Sequence, residues 1–305
     1  MANTKEIKKR IKSVKDTKKI TNAMYLIAST KMRKAKSELD ETRPYFTALQ
    51  TEIKRVFRSV GNIDNKYMYP LDEQVLDGTF AYLVITADKG LAGAYNQNVL
   101  HEAEALFHKH EDAKFFVVGE YGRQFFYQHK MPIEQSFLYT AQNPNIYQAR
   151  KIADVLMEWY DKNEVDKIFV IYTDMKNGME AEVKTTRLLP FHRQQFETAV
   201  PEKAIDTPFE FFPSPGVVLN HVVHSYVMGF IYSALVDSFC SEQNARMTAM
   251  NSANQNADKI LEDLMLQYNR VRQASITQEI TEISAGAKAQ KKKKQKKQRE
   301  EVERT

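Results

Sequence analysis

At 305 residues and 43% hydrophobic content, the chain is long enough for one large domain or two smaller ones. Its single cysteine, Cys240, excludes a disulfide within the chain and fits a reducing compartment. The net charge of +5 is unevenly placed: residues 288–305 hold nine Lys or Arg against three Glu, which leaves the rest of the chain near neutral. The first 43 residues carry 13 basic and 5 acidic side chains, whereas residues 213–287 carry 4 and 7. Opposite net charge at the two ends suits pairing of one with the other. Only 10 Gly and 9 Pro point to long regular elements and few loops.

The N-terminus, MANTKEIKKR, lacks the apolar core of a signal peptide. Thr4 is placed to cap a helix, and Glu6 lies in its first turn. Ile7, Ile11, Val14, Lys18, Thr21, Tyr25, Ala28, Met32, Ala35 and Leu39 alternate spacings of four and three, which predicts a long helix with one seam. Pro44 is expected to break or kink it, with more helix to Val60. Residues 1–60 thus form the N-terminal helix and its continuation, and 61–78 a connector.

An α/β domain is expected over 79–195. FAYLVIT at Phe80 and KFFVV at Lys114 read as buried strands, Gln135 to Tyr139 as a third, and KIFVIYT at Lys167 as a fourth. Helical stretches at Tyr95, Glu120 and Ile146 alternate with them, which argues a partly parallel, Rossmann-like sheet. Asn177-Gly178 is a turn signal, so the last two strands are expected to form a hairpin. Residues 196–212 read as a loop.

From Pro215 the sequence holds no further proline, and Gly229 is the one interior glycine between Gly216 and Gly286. That length of helical pattern indicates a coiled coil or a spanning helix. Val217 to Cys240 is apolar nearly all round, but Asn220, His221, His224 and Asp237 interrupt it, so burial inside the protein is favoured over a membrane span. Met247, Asn254, Leu261, Tyr268 and Ser275 repeat every seven residues, with Met250, Ala257, Leu264 and Val271 as the companion row. Such a repeat winds two helices together. The predicted architecture is an α/β domain inserted between two long terminal helices that pair as an antiparallel coiled coil. The C-terminal coiled-coil helix spans 213–287. The Lys-rich segment 288–305 lacks apolar anchors and is expected to be disordered.

No catalytic constellation stands out. The turn ADKGLAGAYN follows the first strand and could cradle a phosphate, but Gly90 and Gly93 alone match neither nucleotide-binding fingerprint, and a tight structural turn is the favoured reading. His221 and His224 lie three apart without a matching ligand pair, so no metal or other cofactor is expected.

Both ends of the chain carry a resemblance. IKSV, TKKITNAM and ASTKMRKA in the first helix are similar to the N-terminal helix of the gamma subunit of F-type ATP synthase. SE at Ser241, RMTAM at Arg246 and YNRVRQASITQEITEI at Tyr268 are similar to its C-terminal helix, and ITADKGLAGAYN to its first strand and turn. The resemblance implies a non-catalytic central shaft, with alpha and beta subunits as a hexamer around the coiled coil. The α/β domain would grip the epsilon subunit and the membrane c-ring, driven by proton or sodium flow. It implies a peripheral location on the cytoplasmic face of the bacterial cell membrane and no nucleic-acid partner.

Residue by residue, it implies that Arg272, Gln273 and Thr277 engage a loop of a beta subunit and that Met24 faces the beta hinge region. Glu242 and Arg246 would lie in a lower contact region, and Ile276, Ile280 and Ile283 in the sleeve around the shaft tip. The basic segment departs from the family pattern; by the family geometry it would lie in the bore or at the top of the hexamer, and its charge placement suggests a brake or ratchet on rotation. Two other readings stay open. One is a coiled-coil adapter whose basic end binds nucleic acid or acidic lipid with steep salt dependence; the other is an enzyme binding a nucleotide at Asp88 to Asn96.

Overall fold

The computed structural model describes residues 4–60, 66–69, 78–110, 112–138, 141–175, 181–191, 211–212 and 214–302; side chains at 50, 55–60, 215 and 294–302 lie outside the description. In chain order the elements are α1 (Thr4–Val60), β1 (Phe80–Ile85), α2 (Tyr95–Lys109), β2 (Lys114–Val118), α3 (Glu120–Gln128), β3 (Gln135–Phe137), α4 (Ile146–Asp161), β4 (Lys167–Met175), β5 (Ala181–Leu189) and α5 (Pro215–Val302). The chain divides into two compact units, one made of Met1–Met24 with Met250–Thr305, the other of Tyr25–Ala249.

In the larger unit the five strands run in the order β3-β2-β1-β4-β5. β1, β2, β3 and β4 pair in parallel, and β5 closes on β4 antiparallel. The hairpin pairing is therefore as the sequence predicts, although Asn177-Gly178 lies outside the described residues. So do most of the connector 61–78 and of the loop 196–212.

Alternate side chains on a strand point to opposite faces, and both faces of this sheet are buried. Ala81, Leu83, Ile85, Phe116, Val118, Ile168 and Val170 pack with α4 and with the α5 stretch from Leu219 to Cys240. Tyr82, Val84, Phe115, Val117 and Ile171 pack with α2 and α3. The α5 stretch passes for a membrane span by length and composition, but 61% of that window is buried inside the protein. Its apolar residues face the sheet on one side and α1 on the other. There Gly229 lets the Phe46 ring lie against the α5 backbone, where a Cβ would overlap it.

Two expectations need correction. The helix does not break at Pro44. A proline removes one N–H from the helical ladder, but Pro44 is exposed, so water can serve the lost bond, and Leu39, Phe46 and Ile53 hold α1 on both sides of it. Nor does α5 stop at 287: it continues to Val302. Lys, Gln, Glu and Arg are good helix formers, cations near a helix C terminus suit its dipole, and neither Gly nor Pro follows Gly286.

In the smaller unit the ends of α1 and α5 run antiparallel. Thr21 Oγ1 donates to Asn254 Oδ1, and Lys18 Nζ pairs with Asp258, so the numbers rise on one helix as they fall on the other. Ile7, Ala257 and Leu264 are buried, and Ile11, Val14, Asn254, Leu261, Tyr268 and Val271 half-buried. This is the seam read from the heptads. Ser275, predicted to extend it, is exposed, as is every residue from Arg272 to Lys293.

Candidate partner-contact surface

A helix pair that buries one stripe leaves its other faces for partners. On α5 beyond the seam, Ile276, Ile280 and Ile283 are 46%, 61% and 73% exposed. Their spacing of four and three puts them on one face of the helix. Arg272, Gln273 and Thr277 are also exposed. Gln278 donates to Glu282 at 2.9 Å and Thr281 Oγ1 to the Thr277 carbonyl at 2.7 Å, so the polar side chains in between satisfy each other along the helix. Met24 is half-buried, while Ile20 on the same helix is 62% exposed.

Glu242 and Arg246 stand differently. They form an i,i+4 ion pair at 2.6 Å whose side chains are only 8% and 11% exposed, and Arg246 Nη2 donates to the Gly90 carbonyl at 3.1 Å. Burial raises the Glu242 carboxyl above its ordinary range despite the Arg246 charge that opposes the shift. The pair fastens α5 to the turn after β1. Next to it Ala245 packs on Ala87, Ala92 and Tyr95.

One turn earlier, Ser238 Oγ accepts from Thr173 N at 3.2 Å and Ser241 Oγ donates to the Thr173 carbonyl at 3.4 Å. Ser238 escaped the sequence reading, and Ser241 entered it only as part of the resemblance. The available signal was hydroxyls three apart on an otherwise apolar helix.

The Arg246 contact lies beside the phosphate-cradle motif, through the Gly90 carbonyl. In open α/β sheets ligands bind beyond the carboxyl ends of the strands. Here α5 lies across those ends at β1 and β4. The strand end and the turn also reach two neighbouring segments: Ala87 N donates to Asn96 Oδ1 at 2.9 Å, and Thr86 Oγ1 and Asp88 Oδ1 accept from Gly122 N and Glu120 N at the start of α3, each at 3.0 Å. Asp88 thus caps α3, whereas α2, the helix that follows the turn, starts at Ala94 with no side-chain cap. His224, the other candidate ligand, is 3.0 Å from Asp154 Oδ1. Among the described residues no group of three or more His, Cys, Asp or Glu side chains is placed to hold a metal.

Next to Ser238, Asp237 is half-buried beside Asp174, which pairs with Lys184; Arg43 and Ser233 also face it. Burial, then the Asp174 charge, pushes the Asp237 carboxyl up to about 6. A folded value above the unfolded one means that ionisation works against folding, a cost fully present above pH 6 and absent below about pH 4. Asp237→Asn should therefore raise stability by about 2 kcal/mol at pH 8. The gain should vanish near pH 4 in paired thermal melts, and a gain independent of pH would refute the assignment. The neighbouring Cys240 thiol is pushed up to about 12 by burial and by Asp237, which makes it a poor nucleophile.

The family model described as ATP synthase matches residues 3–290. An ATP synthase gamma chain of Acetivibrio thermocellus is 41% identical over 95% of this chain and the whole of its own length. The chain belongs to the ATP synthase gamma-chain family. As a gamma chain it is a non-catalytic subunit. A gamma chain of Caldanaerobacter subterraneus is 44% identical over 93% of this chain and 98% of its own, and one of Acetobacterium woodii, named as sodium ion specific, is 36% identical over 94% and 98%.

Among solved structures, a chain of the Euglena gracilis mitochondrial ATP synthase shares the fold, with a TM-score of 0.66 over 94% of both chains at 14% identity. A chain of the Tetrahymena thermophila central stalk and c-ring matches with a TM-score of 0.55 at 26% identity, over 77% of this chain and 99% of its own.

Proposed function

We propose that this chain is the turning shaft of a bacterial F-type ATP synthase, peripheral to the cytoplasmic face of the cell membrane. Alpha and beta subunits surround the paired helix ends, and the epsilon subunit and c-ring engage the α/β part. Ion flow turns the ring and with it the shaft, whose unequal sides present a different surface to each of three beta subunits.

The observation that carries this reading is the exposed isoleucine stripe. Ile276, Ile280 and Ile283 continue α5 past the last seam residue, Val271, and meet no side chain of their own unit that buries them. An exposed apolar stripe marks an interaction site. A smooth apolar sleeve satisfies it at every angle of rotation, because dispersion contacts have no preferred direction. Arg272 and Gln273, one turn below, and Thr277, next to Ile276, supply directional hydrogen bonds to a beta-subunit loop, and Met24 supplies a compliant apolar contact to the beta hinge region. Glu242 and Arg246 contribute from inside, by fixing α5 on the β1 turn and so setting the lower contact region.

Purification from native membranes in mild detergent tests the assembly. Recovery of one copy per three alpha and three beta chains is the expected outcome; recovery alone would overturn the reading. In the assembled complex, replacing Ile276, Ile280 and Ile283 together by serine should lower ion-coupled ATP synthesis about tenfold, equivalent to about 1.4 kcal/mol at the limiting step. Unchanged synthesis would remove the stripe from the bearing.

A further inference from the structure

The family match ends at residue 290, yet α5 continues to Val302. Along this last stretch lie Lys288, then Lys291, Lys292, Lys293 and Lys294, then Lys296, Lys297 and Arg299. Four consecutive lysine positions exceed one 3.6-residue turn, so the positive charge is not confined to a single face. Lys288, Lys291, Lys292 and Lys293 are all exposed.

The charges are also poorly compensated along the helix. Glu300, Glu301 and Glu303 stand three or four residues from Lys296, Lys297 and Arg299, but positions 288–294 have no acidic residue at those spacings on either side beyond Ser284 and Gln298. Like charges three and four apart repel by roughly 0.2–0.5 kcal/mol per pair. A partner that supplies carboxylates relieves this repulsion and firms the helix.

Three kinds of polyanion could do so. A membrane surface favours a helix with one apolar face, and after Ile283 the only large apolar residue is Val302. Single-stranded nucleic acid favours aromatic platforms, and after Tyr268 there is no aromatic residue. Positive charge distributed around a helix is matched instead by negative charge that surrounds it.

We propose that residues 288–299 are a docking element for a carboxylate-lined collar, a ring of Asp and Glu side chains contributed by neighbouring protein chains that encircles the helix. The proposal rests on the shaft reading and deepens it: the isoleucine stripe is an apolar bearing, and the basic stretch beyond it a second, electrostatic one. Contacts of this kind are long-ranged but screened by salt. The collar therefore centres the helix while letting it turn.

Zero-length cross-linking of amines to carboxylates in the purified whole complex, mapped by mass spectrometry, tests it. Cross-links from Lys288, Lys291, Lys292 or Lys293 to acidic residues on at least two neighbouring chains are expected. Their yield should fall about fivefold at roughly 0.5 M salt. A chain with Lys291→Gln, Lys292→Gln, Lys293→Gln and Lys294→Gln, which keeps good helix formers, should still assemble but lose the Lys288 cross-links as docking weakens. Cross-links to one chain only, none at all, or protection of the lysines only by anionic vesicles or by an oligonucleotide would overturn the collar. A chain that fails to co-purify with alpha and beta subunits would overturn the shaft reading itself, which keeps the two failures apart.

Discussion

Arg246→Ala should destabilise the chain by about 3–5 kcal/mol, because it leaves the Glu242 carboxylate buried without its cation. The ion pair is closed at 2.6 Å with both side chains about nine-tenths hidden. The same guanidinium holds the Gly90 carbonyl, so the loss also frees the β1 turn from α5. Arg246→Lys keeps the charge but cannot span both acceptors from one planar fork, and should cost about 1–2 kcal/mol. Glu242→Gln should cost less than Arg246→Ala, since an amide can still accept from Arg246 and the guanidinium keeps its backbone acceptor.

The pH dependence separates this mechanism from simple loss of packing. The Glu242 carboxyl is already raised by burial, with Arg246 pulling against the shift. Without Arg246 it rises further. The deficit of Arg246→Ala should then be largest at alkaline pH and shrink on acidification towards pH 5, as Glu242 takes up a proton. Thermal or denaturant melts of both chains across that range decide the matter. A deficit flat in pH would show that the lost side-chain packing, not the orphaned charge, is responsible.

Gly119→Ala should be of similar size, at least about 3 kcal/mol, for a reason of geometry alone. Gly119 caps α3 with φ +94° and ψ 143°. That backbone region is nearly closed to residues with a Cβ. An added methyl would also stand 2.8 Å from the Ala87 carbonyl oxygen and overlap the Thr86 carbonyl. Those atoms belong to the β1 turn, and neither is the movable end of a side chain.

Relief of the overlap would push β1 and α3 apart and strain the Thr86–Gly122 and Asp88–Glu120 hydrogen bonds, at 3.0 Å each. Gly90→Ala is the control. Its nearest neighbour would be Tyr121 Cε2 at 3.8 Å, an ordinary contact, so its melting temperature should change little. Equal losses at Gly119 and Gly90 would refute the steric account.

Both substitutions act on one joint, where the turn after β1 meets α3 and α5. Asp88 sits on the α3 N terminus and Arg246 of α5 on the Gly90 carbonyl, so the turn after β1 holds the sheet to both helices. The same crossing brings the half-buried Asp237 beside Asp174. A shaft subunit that must carry torque gains from a firm attachment at this place.

The pairing of the chain ends was legible because a coiled coil is a one-dimensional pattern. Ile7, Ile11 and Val14, with Ala257, Leu264 and Val271, announce their burial by spacing alone. The strands were equally plain, since β1 and β2 are short apolar runs bounded by turn residues. Register at the end of the seam was less so. Ser275 fits the heptad, but Val271 is the last residue shielded, because a periodic sequence does not say where its partner helix begins. Pro44 and the basic stretch misled for related reasons: local preference argued for a break and for disorder, while packing of Phe46 and Ile53 in one case and uninterrupted helix formers in the other carried the helix through.

What the sequence by itself determined is therefore the periodic part of the protein: two long helices, their seam, and an alternating α/β insert. What only the tertiary structure decided is the direction in which the charged and hydroxyl side chains of α5 are used. Glu242 and Arg246 at i,i+4 are as good a pair on an open surface as in a buried joint. Ser238 and Ser241 could as readily face water as Thr173. Spacing along one helix fixes which residues share a face, but what covers that face depends on strands some 70 and 150 residues earlier in the chain, brought there by burial of the sheet.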